Sequence, residues 1–275
     1  MRVELAAEVF TEPTPERTAI SAVANLLAAF AEGRHDWIVD LDAVDDLAVY
    51  LEKHHPTLAG SYVAMAEMAA VQSAAWTGTT QMSELIVVSP AALTDHSSDL
   101  CRAAIIVVEN VPGDEHFLMT VIHAFGAVRV QEAIDQGWVE FRHGGGSTVP
   151  AVAEAEAARF RRSIRVVVVF DSDSLTPEHV GPNRPKAEKL RAKQISAHVL
   201  LLREAENYAP YRVLAEIGRK AEASKKIDHL KRLLPRQRSH YDMKKGFHPQ
   251  RTGRTAGLLR RSRLTDPPDS RIRLR

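Results

Sequence analysis

The second half of the chain alternates between short apolar runs and segments with helical spacing. The runs at 103–110 and 164–174 are almost continuously apolar, as expected for strands buried on both faces of a parallel sheet. Apolar residues over 117–125 recur at helical spacing. This alternation predicts an α/β fold with an open, mostly parallel sheet and flanking helices. The predicted strands are 103–110, 138–141, 164–174 and 197–208.

The first 98 residues lack this alternation and predict a small α-rich leader. Thr14 precedes an amphipathic helix over 14–32, residues 37–44 alternate like a short strand, and another helix is expected over 60–76. The sequence thus divides into three predicted regions: a leader over 1–98, an α/β domain over 99–250 and a basic, disordered tail over 251–275.

Composition mainly excludes other classes of protein and other kinds of site. With 275 residues, of which 45% are hydrophobic and 26% charged, the chain can form a core, and collagen-like or wholly disordered classes are excluded. Cys101 is the only cysteine, so one chain forms neither a disulfide nor a thiolate zinc site, and a reducing cytoplasm is expected. Because no stretch approaches the roughly 18 apolar residues of a membrane span, we expect no membrane association.

The net charge of +1 conceals a separation of charge along the chain. Residues 219–275 hold 18 Lys and Arg against 5 Asp and Glu, a net charge of +13; residues 1–218 hold 18 against 30, a net charge of −12. Carboxylates suit hard divalent cations, whereas a basic segment suits phosphate. The combination favours a metal-dependent enzyme acting on nucleic acid, with an ordinary solvated surface as the alternative.

Carboxylates fall at the carboxyl ends of three predicted strands. Glu109 ends the first strand, Asp171 and Asp173 end the third, and Glu204 and Glu206 follow the fourth. In a parallel sheet these ends share one edge, so the side chains are expected to gather there and bind Mg²⁺ or Mn²⁺. Asp171 and Asp173 should point the same way if the chain is extended. Two alternatives stay open: Glu109 belongs to a turn, or Asp-Ser-Asp caps the next helix.

Four segments resemble the Toprim domain of the OLD (overcoming lysogenization defect) nucleases and of their stand-alone relatives in phage defence. AAIIVVENVPGDEHFL at 103–118 is similar to the opening Toprim motif, and VVVVFDSDS at 166–174 is similar to the Asp-x-Asp strand. LLLREAENY at 200–208 and HYDMKKGF at 240–247 are similar to later segments of that branch. The resemblance covers residues 100–250 and leaves out the leader.

The resemblance implies a role for each matched residue in an Mg²⁺- or Mn²⁺-dependent nuclease that cuts DNA or RNA. The implied catalytic residues are Glu109, Asp171, Asp173 and Lys245. The implied metal ligands are Glu109, Asp114, Asp171, Asp173 and Glu206. Lys244 or Lys245 would face the scissile phosphate, and the basic residues expected to bind nucleic acid are Lys244, Arg251, Arg254, Arg260 and Arg261.

The chain departs from the family pattern in two ways. Asn110 stands where the family has Gly directly after the first-strand Glu, with Gly113 displaced by three positions. No Gly-rich Walker loop is present in the sequence, so ATP control would come from a separate ATPase or sensor protein. The resemblance therefore implies an effector of an anti-phage or nucleic-acid quality-control system. The oligomeric state is left open, with a homodimer among the options.

Two other functions remain as alternatives from the sequence. FDSDSLT is similar to the first motif of haloacid-dehalogenase-type phosphatases, in which Asp171 would be the nucleophile and Asp173 the general acid, although Leu175 stands where that motif has Thr or Val. The second alternative is a non-catalytic adaptor that binds nucleic acid. A scaffold has no need for mutually repelling carboxylates at its strand ends, which favours the nuclease.

Overall fold

The computed structural model describes residues 1–75, 85–216 and 220–244. The described chain is α/β, with one three-stranded and one four-stranded sheet, both mostly parallel and flanked by helices. This confirms the fold class predicted from the alternating pattern. Lys245 and the basic tail lie outside the described residues. The strands are β1 Arg2–Leu5, β2 Asp36–Ile38, β3 Leu85–Val88, β4 Ala104–Val108, β5 Val139–His143, β6 Val166–Phe170 and β7 Ser196–Val199.

The helices predicted in the leader and between the strands are present, with ends that differ by a few residues. The expected helix over 14–32 spans Arg17–Ala31, and the one over 60–76 spans Ala59–Ala75. None of the described helices combines the length and apolarity that a membrane span requires. The α-helices are α1 Glu8–Thr11, α2 Arg17–Ala31, α3 Val44–His54, α4 Ala59–Ala75, α5 Leu93–Cys101, α6 Gly113–Ala124, α7 Val128–Asp135, α8 Val149–Ala157, α9 Asn183–Ala192, α10 Tyr211–Glu216, α11 Lys220–Lys231 and α12 Pro235–Ser239.

The leader is α-rich, and it also contains a sheet of its own. Strands β2, β1 and β3 pair in that order, all in parallel, with Val3 opposite Trp37 and Ile86. Only the strand beginning near Trp37 was expected from the sequence. Apolar residues of β1, α2 and α3 form the hydrophobic core beneath this sheet, and they include the fully buried Val3, Leu26, Leu27 and Leu51.

The second sheet has the strand order β5-β4-β6-β7, which places β4 directly beside β6. Both central strands consist almost entirely of β-branched and aromatic residues, the composition that suits a strand packed on both faces. Val107, Val108, Val168 and Phe170 are completely buried. Parallel neighbours end at the same edge, so the residues that follow β4 and β6 are brought together there.

The chain divides into two compact units. The first unit comprises Met1–Val107 and Leu118–Val167, and the second comprises Val108–Phe117 and the chain from Val168 onward. The carboxyl ends of β4 and β6 therefore belong to the second unit, together with β7 and α9. In that unit Phe170 of β6 and Ala187 and Leu190 of α9 are buried core residues.

Two predicted strands are shorter than expected. The fourth predicted strand, over 197–208, is extended only from Ser196 to Val199, and a 3-10 turn occupies Ala205–Tyr208. The third predicted strand, over 164–174, ends at Phe170, before Asp171 and Asp173. Asp173 has a φ of 51°, in the left-handed region, so the chain is not extended through Asp173. The expectation that the two aspartates point the same way because they alternate along a strand is therefore wrong.

Candidate active site

Glu109 and Asp173 meet at one buried amide in the second unit. Glu109 directly follows β4, and Asp173 lies on the turn after β6. Nδ2 of Asn183, the first residue of α9, lies 3.1 Å from Glu109 Oε1 and 3.1 Å from Asp173 Oδ2. The same nitrogen lies 2.9 Å from the Asp171 carbonyl oxygen. Since one amide carries only two hydrogens, the three oxygens share them.

Asn183 is itself held in place from the other side. Its side chain is 1% exposed, and its Oδ1 accepts a hydrogen bond from Lys186 Nζ at 2.7 Å. Lys186 lies one helical turn further along α9, so the helix presents an amide and an ammonium to the same cluster. Because the amide is buried, it cannot replace these hydrogen bonds with bonds to water, and its position between the carboxylates is fixed.

Asp171 is the most buried of the predicted ligands, at 6% exposure. Its Oδ1 accepts from the backbone N–H of Ala205 at 3.0 Å, and its Oδ2 accepts from Lys244 Nζ at 3.2 Å. Lys244 Nζ also lies 3.7 Å from Glu206 Oε2. Lys244, one of the two lysines that the resemblance implied near the scissile phosphate, therefore contacts Asp171, one of the predicted metal ligands.

The cluster carries more negative charge than its donors balance. Burial, together with Asp171, Asp173 and Asp114, raises the pKa of Glu109 to about 7, and Lys186 offsets this only in part. Burial also raises the pKa of Asp171, even though Lys244 acts in the opposite direction. Glu109 thus exchanges its proton near neutral pH, which is the property a general acid or base requires.

The predicted secondary ligand, Asp114, lies in the first turn of α6 and closes the turn after β4. Its Oδ2 accepts from the backbone N–H of Asn110 at 2.9 Å, and its own N–H donates to the Asn110 carbonyl at 2.9 Å. Asn110 therefore takes part in the turn where the Toprim pattern has Gly. The negative charge of Asp114 is close enough to raise the pKa of both Glu109 and Asp171.

Glu204 and Glu206, which the sequence placed together, have different environments. Glu206 is half exposed, with 45% of its side chain accessible, and it faces Lys244. Glu204 is buried, and its Oε2 accepts from the backbone N–H of Met243 at 3.2 Å. Only Glu206 has its carboxylate both accessible and facing Lys244, so it is the better candidate to extend the cluster.

Three residues of the site were not expected from the sequence. They are Asn183, Lys186 and Gly181. A Cβ atom built on Gly181 would lie 1.7 Å from the carbonyl oxygen of Ser172, so only glycine allows the chain to approach the Asp171–Asp173 turn this closely. The Gly-Pro-Asn sequence before α9 signals a helix start, and nothing in its spacing indicates a partner ten residues earlier.

The donor set has the chemistry of a hard-cation site, because it consists of carboxylates crowded at one edge of a sheet. Asp171 is buried, Glu109 and Asp173 are partly buried, and Asp114 and Glu206 lie around them. Within residues 1–75, 85–216 and 220–244, however, no three His, Cys, Asp or Glu side chains are arranged to hold a metal ion. The carboxylates instead contact the neutral N–H donors of the Asn183 amide and the positively charged ammonium of Lys244.

Comparison with known proteins identified no relative of this chain. No family model matches the chain, and neither a curated protein nor a solved structure matches it significantly.

Proposed function

We propose that this chain is a metal-dependent nuclease that hydrolyses phosphodiester bonds in DNA or RNA with Mg²⁺ or Mn²⁺. The observation that carries the proposal is the convergence of Glu109 and Asp173 on Asn183, beside the Asp171–Lys244 pair. It supports the proposal because carboxylates from neighbouring strand ends and a lysine within reach are the groups that phosphodiester hydrolysis needs. The resemblance of the same segments to Toprim nucleases points in the same direction.

The side chains of the chain itself have distinct tasks in this proposal. Glu109 serves either as a metal carboxylate or as the acid/base, and for the second task burial and the neighbouring carboxylates raise its pKa to about 7 in the metal-free chain. Lys244 is attracted by Asp171 and Glu206, and although burial acts against the charged form, its pKa is raised. It therefore stays protonated and neutralises charge on a phosphate. Asn183 keeps Glu109 and Asp173 at the same edge of the sheet.

Glu109, Asp171 and Asp173 would hold the metal, with Asp114 and Glu206 around them. In the described residues these side chains are not arranged around a metal ion, because Asn183 and Lys244 contact them. The choice of ligands rests on the burial and the neighbouring carboxylates that raise the pKa of Glu109, since a divalent cation would offset that repulsion. When bound, Mg²⁺ or Mn²⁺ supplies Lewis-acid stabilisation of the phosphate and activates the attacking water.

The direct test is cleavage by the purified full chain. Supercoiled plasmid, single-stranded DNA and structured RNA are each incubated with Mg²⁺ or Mn²⁺ and, in parallel, with a chelator. Cleavage of one substrate that requires the metal is expected. Glu178→Gln is the matched control variant, since Glu178 is an exposed carboxylate of the same unit whose removal leaves the cluster intact. Absence of metal-dependent cleavage on every substrate would overturn the proposal.

A phosphatase is the second candidate, because the lysine contact on Asp171 would also suit a phosphorylated aspartate. Glu109 has no role in that reaction, which leaves its contact with Asn183 beside Asp171 unexplained. Turnover of p-nitrophenyl phosphate without cleavage of nucleic acid would select the phosphatase. Binding of nucleic acid without either reaction would select the adaptor.

The proposed setting is the cytoplasm, in an anti-phage or quality-control system with a separate ATPase or sensor. This part of the proposal rests on the sequence, which holds one cysteine and lacks a Walker loop. Co-purification from the native host tests it. A stable complex with an ATPase whose nucleotide state changes the cleavage rate is expected, whereas a fully active chain without any partner would contradict the idea.

A further inference from the structure

The segment Arg203–Asn207 contacts both the carboxylate cluster and the loop that carries Lys244. The backbone N–H of Ala205 donates to Asp171 Oδ1 at 3.0 Å, and the carbonyl oxygen of Arg203 accepts from the N–H of Asp173 at 3.0 Å. One side of this short segment is therefore bonded to the two aspartates that follow β6. Its backbone runs within hydrogen-bonding distance of the turn that defines the candidate site.

The same segment binds the loop Arg238–Lys244 along most of its length. Asn207 Nδ2 donates to the carbonyl oxygens of Arg238 at 2.8 Å and of Tyr241 at 3.0 Å. Arg203 donates through its backbone N–H to the Ser239 carbonyl at 2.9 Å. Asn207 is 3% exposed, so these bonds form where water does not compete for the carbonyl groups.

Charged contacts complete the attachment close to Lys244. Arg203 Nη2 lies 2.8 Å from Asp242 Oδ2, in an ion pair with both side chains largely buried. Glu204 Oε2 accepts from the backbone N–H of Met243, the residue immediately before Lys244. His240 Nδ1 lies 3.1 Å from the carbonyl oxygen of Ser174, so the loop also touches the turn after Asp173.

We propose that Arg203, Glu204 and Asn207 are positioning residues, which dock the loop Arg238–Met243 so that the Lys244 ammonium is held against Asp171. The inference rests on the proposed function for its consequence, since a lysine fixed at this point can meet a phosphate group. It assigns to Arg203 and Asn207 a task that is neither metal ligation nor contact with substrate. Lys244 is half exposed, so its own stem contributes little to its placement and the docked backbone must supply it.

The docking has a physical reason in the chemistry of lysine. A lysine side chain is long and flexible, and it loses side-chain entropy when it is fixed in one geometry. Asp171 and Glu206 attract the ammonium, but Lys244 itself is half exposed, so these ion pairs hold it in one geometry only if the backbone already brings the partners together. Hydrogen bonds to four backbone groups between Arg238 and Met243 fix that backbone before any phosphate arrives.

The first measurement needs neither metal nor nucleic acid. The full chain is treated with an amine-reactive acetylating reagent, and the labelling rate of Lys244 is followed by mass spectrometry, with the exposed Lys189 as internal reference. Asn207→Leu removes both donors at nearly constant volume, and Asp242→Asn removes the ion pair. Both should raise the labelling rate of Lys244 at least about fivefold, the change expected when about one buried hydrogen bond is removed. Arg236→Gln, which breaks only an exposed ion pair with Glu178, should leave the rate unchanged.

The second measurement is the cleavage rate. Asn207→Leu and Lys244→Ala should each lower kcat by a similar factor, and the double variant should be no slower than Lys244→Ala alone, because both changes remove the same group from the site. Losses that multiply instead would show that Asn207 acts independently of Lys244 and would overturn the positioning role.

The experiment distinguishes a loss of folding, a failure of the positioning role and a failure of the proposed nuclease function. Each variant is first checked by thermal melting, and if Asn207→Leu does not fold, Asp242→Asn decides. An unchanged labelling rate in a folded variant overturns the positioning role. If the wild-type chain cuts nothing while the variants still expose Lys244, the docking stands and the nuclease proposal fails.

Discussion

Two buried carboxylates, one in each unit, differ in how their charge is satisfied. Asp99, on α5 of the first unit, is 0% exposed and accepts hydrogen bonds from three consecutive backbone N–H groups at 2.7–3.1 Å, those of Arg161, Arg162 and Ser163. Asp171, in the second unit, accepts from one backbone N–H and one lysine, and it has further carboxylates nearby.

The difference separates a structural carboxylate from a candidate functional one. Asp99 ties the end of α5 to the chain that leads into β6, and its donors are backbone groups that no ligand displaces. The partners of Asp171 and Glu109 include the side chains of Lys244 and Asn183, and burial together with like-charged neighbours raises the pKa of Glu109. Burial alone therefore does not identify a site, whereas burial with incomplete compensation does.

The largest expected effect is the loss of cleavage when a carboxylate of the cluster is neutralised. Glu109→Gln and Asp171→Asn should each reduce kcat about 10³-fold or more, close to 4 kcal/mol in activation free energy, because each removes charge that the proposed metal needs. Circular dichroism should show an intact fold, since removing a repelling carboxylate does not weaken the metal-free protein. A double variant that cuts as fast as the wild type would place the active site elsewhere.

Asp99 should give the opposite result, a loss of stability without a loss of chemistry. Asp99→Ala leaves three part-buried N–H groups without their acceptor, and the free energy of unfolding should fall by about 3 kcal/mol. Urea denaturation measures this loss, and kcat at 25 °C should be unchanged in the molecules that remain folded. Asp95→Asn on the same helix is the matched control, since Asp95 is partly exposed and should affect stability less. An Asp99→Ala protein as stable as the wild type would contradict the structural role assigned to Asp99.

The sequence predicted those parts of the site that depend on strand ends. The apolar runs of β4 and β6 are recognisable as strands because they are long and rich in β-branched residues. The carboxylates that follow them share an edge in any parallel sheet. The placement of Glu109, Asp171 and Asp173 at one edge therefore follows from the amino-acid sequence alone. Strands β1 and β3 were not predicted, because each spans only four residues and too few positions show a period. Strands β2 and β7 are no longer than these, but they lie in longer patterned segments, over 37–44 and 197–208.

The contacts made by loops could not be predicted in the same way. Asn183 reaches Glu109 across 74 positions, and no local pattern encodes such a pairing. Glu204 and Glu206 are two residues apart, and only the resemblance singled out Glu206 as a ligand. Glu204 is buried and Glu206 is half exposed at the turn over Ala205–Tyr208, a difference that the strand pattern did not indicate. Turn geometry at this scale follows from tertiary packing, which periodicity does not record.

A smaller effect should appear in the pH dependence of stability. The pKa of Glu109 is raised from its ordinary value of 4.5 to about 7, so the folded state binds this proton more tightly than the unfolded state. The free energy of unfolding therefore falls as pH rises from about 4.5 to about 7. Glu109→Gln should remove this loss and gain about 1–2 kcal/mol at pH 8, after allowance for partial exposure, with no gain at pH 4. Thermal melts of both proteins in chelator measure the difference, and a variant less stable than wild type at pH 8 would contradict it.

The smallest expected effect on the chemistry comes from the basic tail, which lies outside the described residues. If Arg251, Arg254, Arg260 and Arg261 bind phosphate, deletion of the chain after Gly246 should weaken nucleic-acid binding uniformly across sequences. The slope of log affinity against log salt should flatten by roughly 0.7–0.9 for each phosphate group that the shortened chain no longer neutralises. At saturating substrate, kcat should stay within about twofold, because the cluster carboxylates and Lys244 are retained. Fluorescence anisotropy over a salt series measures the slope, and an unchanged slope would favour a partner-docking role for the tail instead.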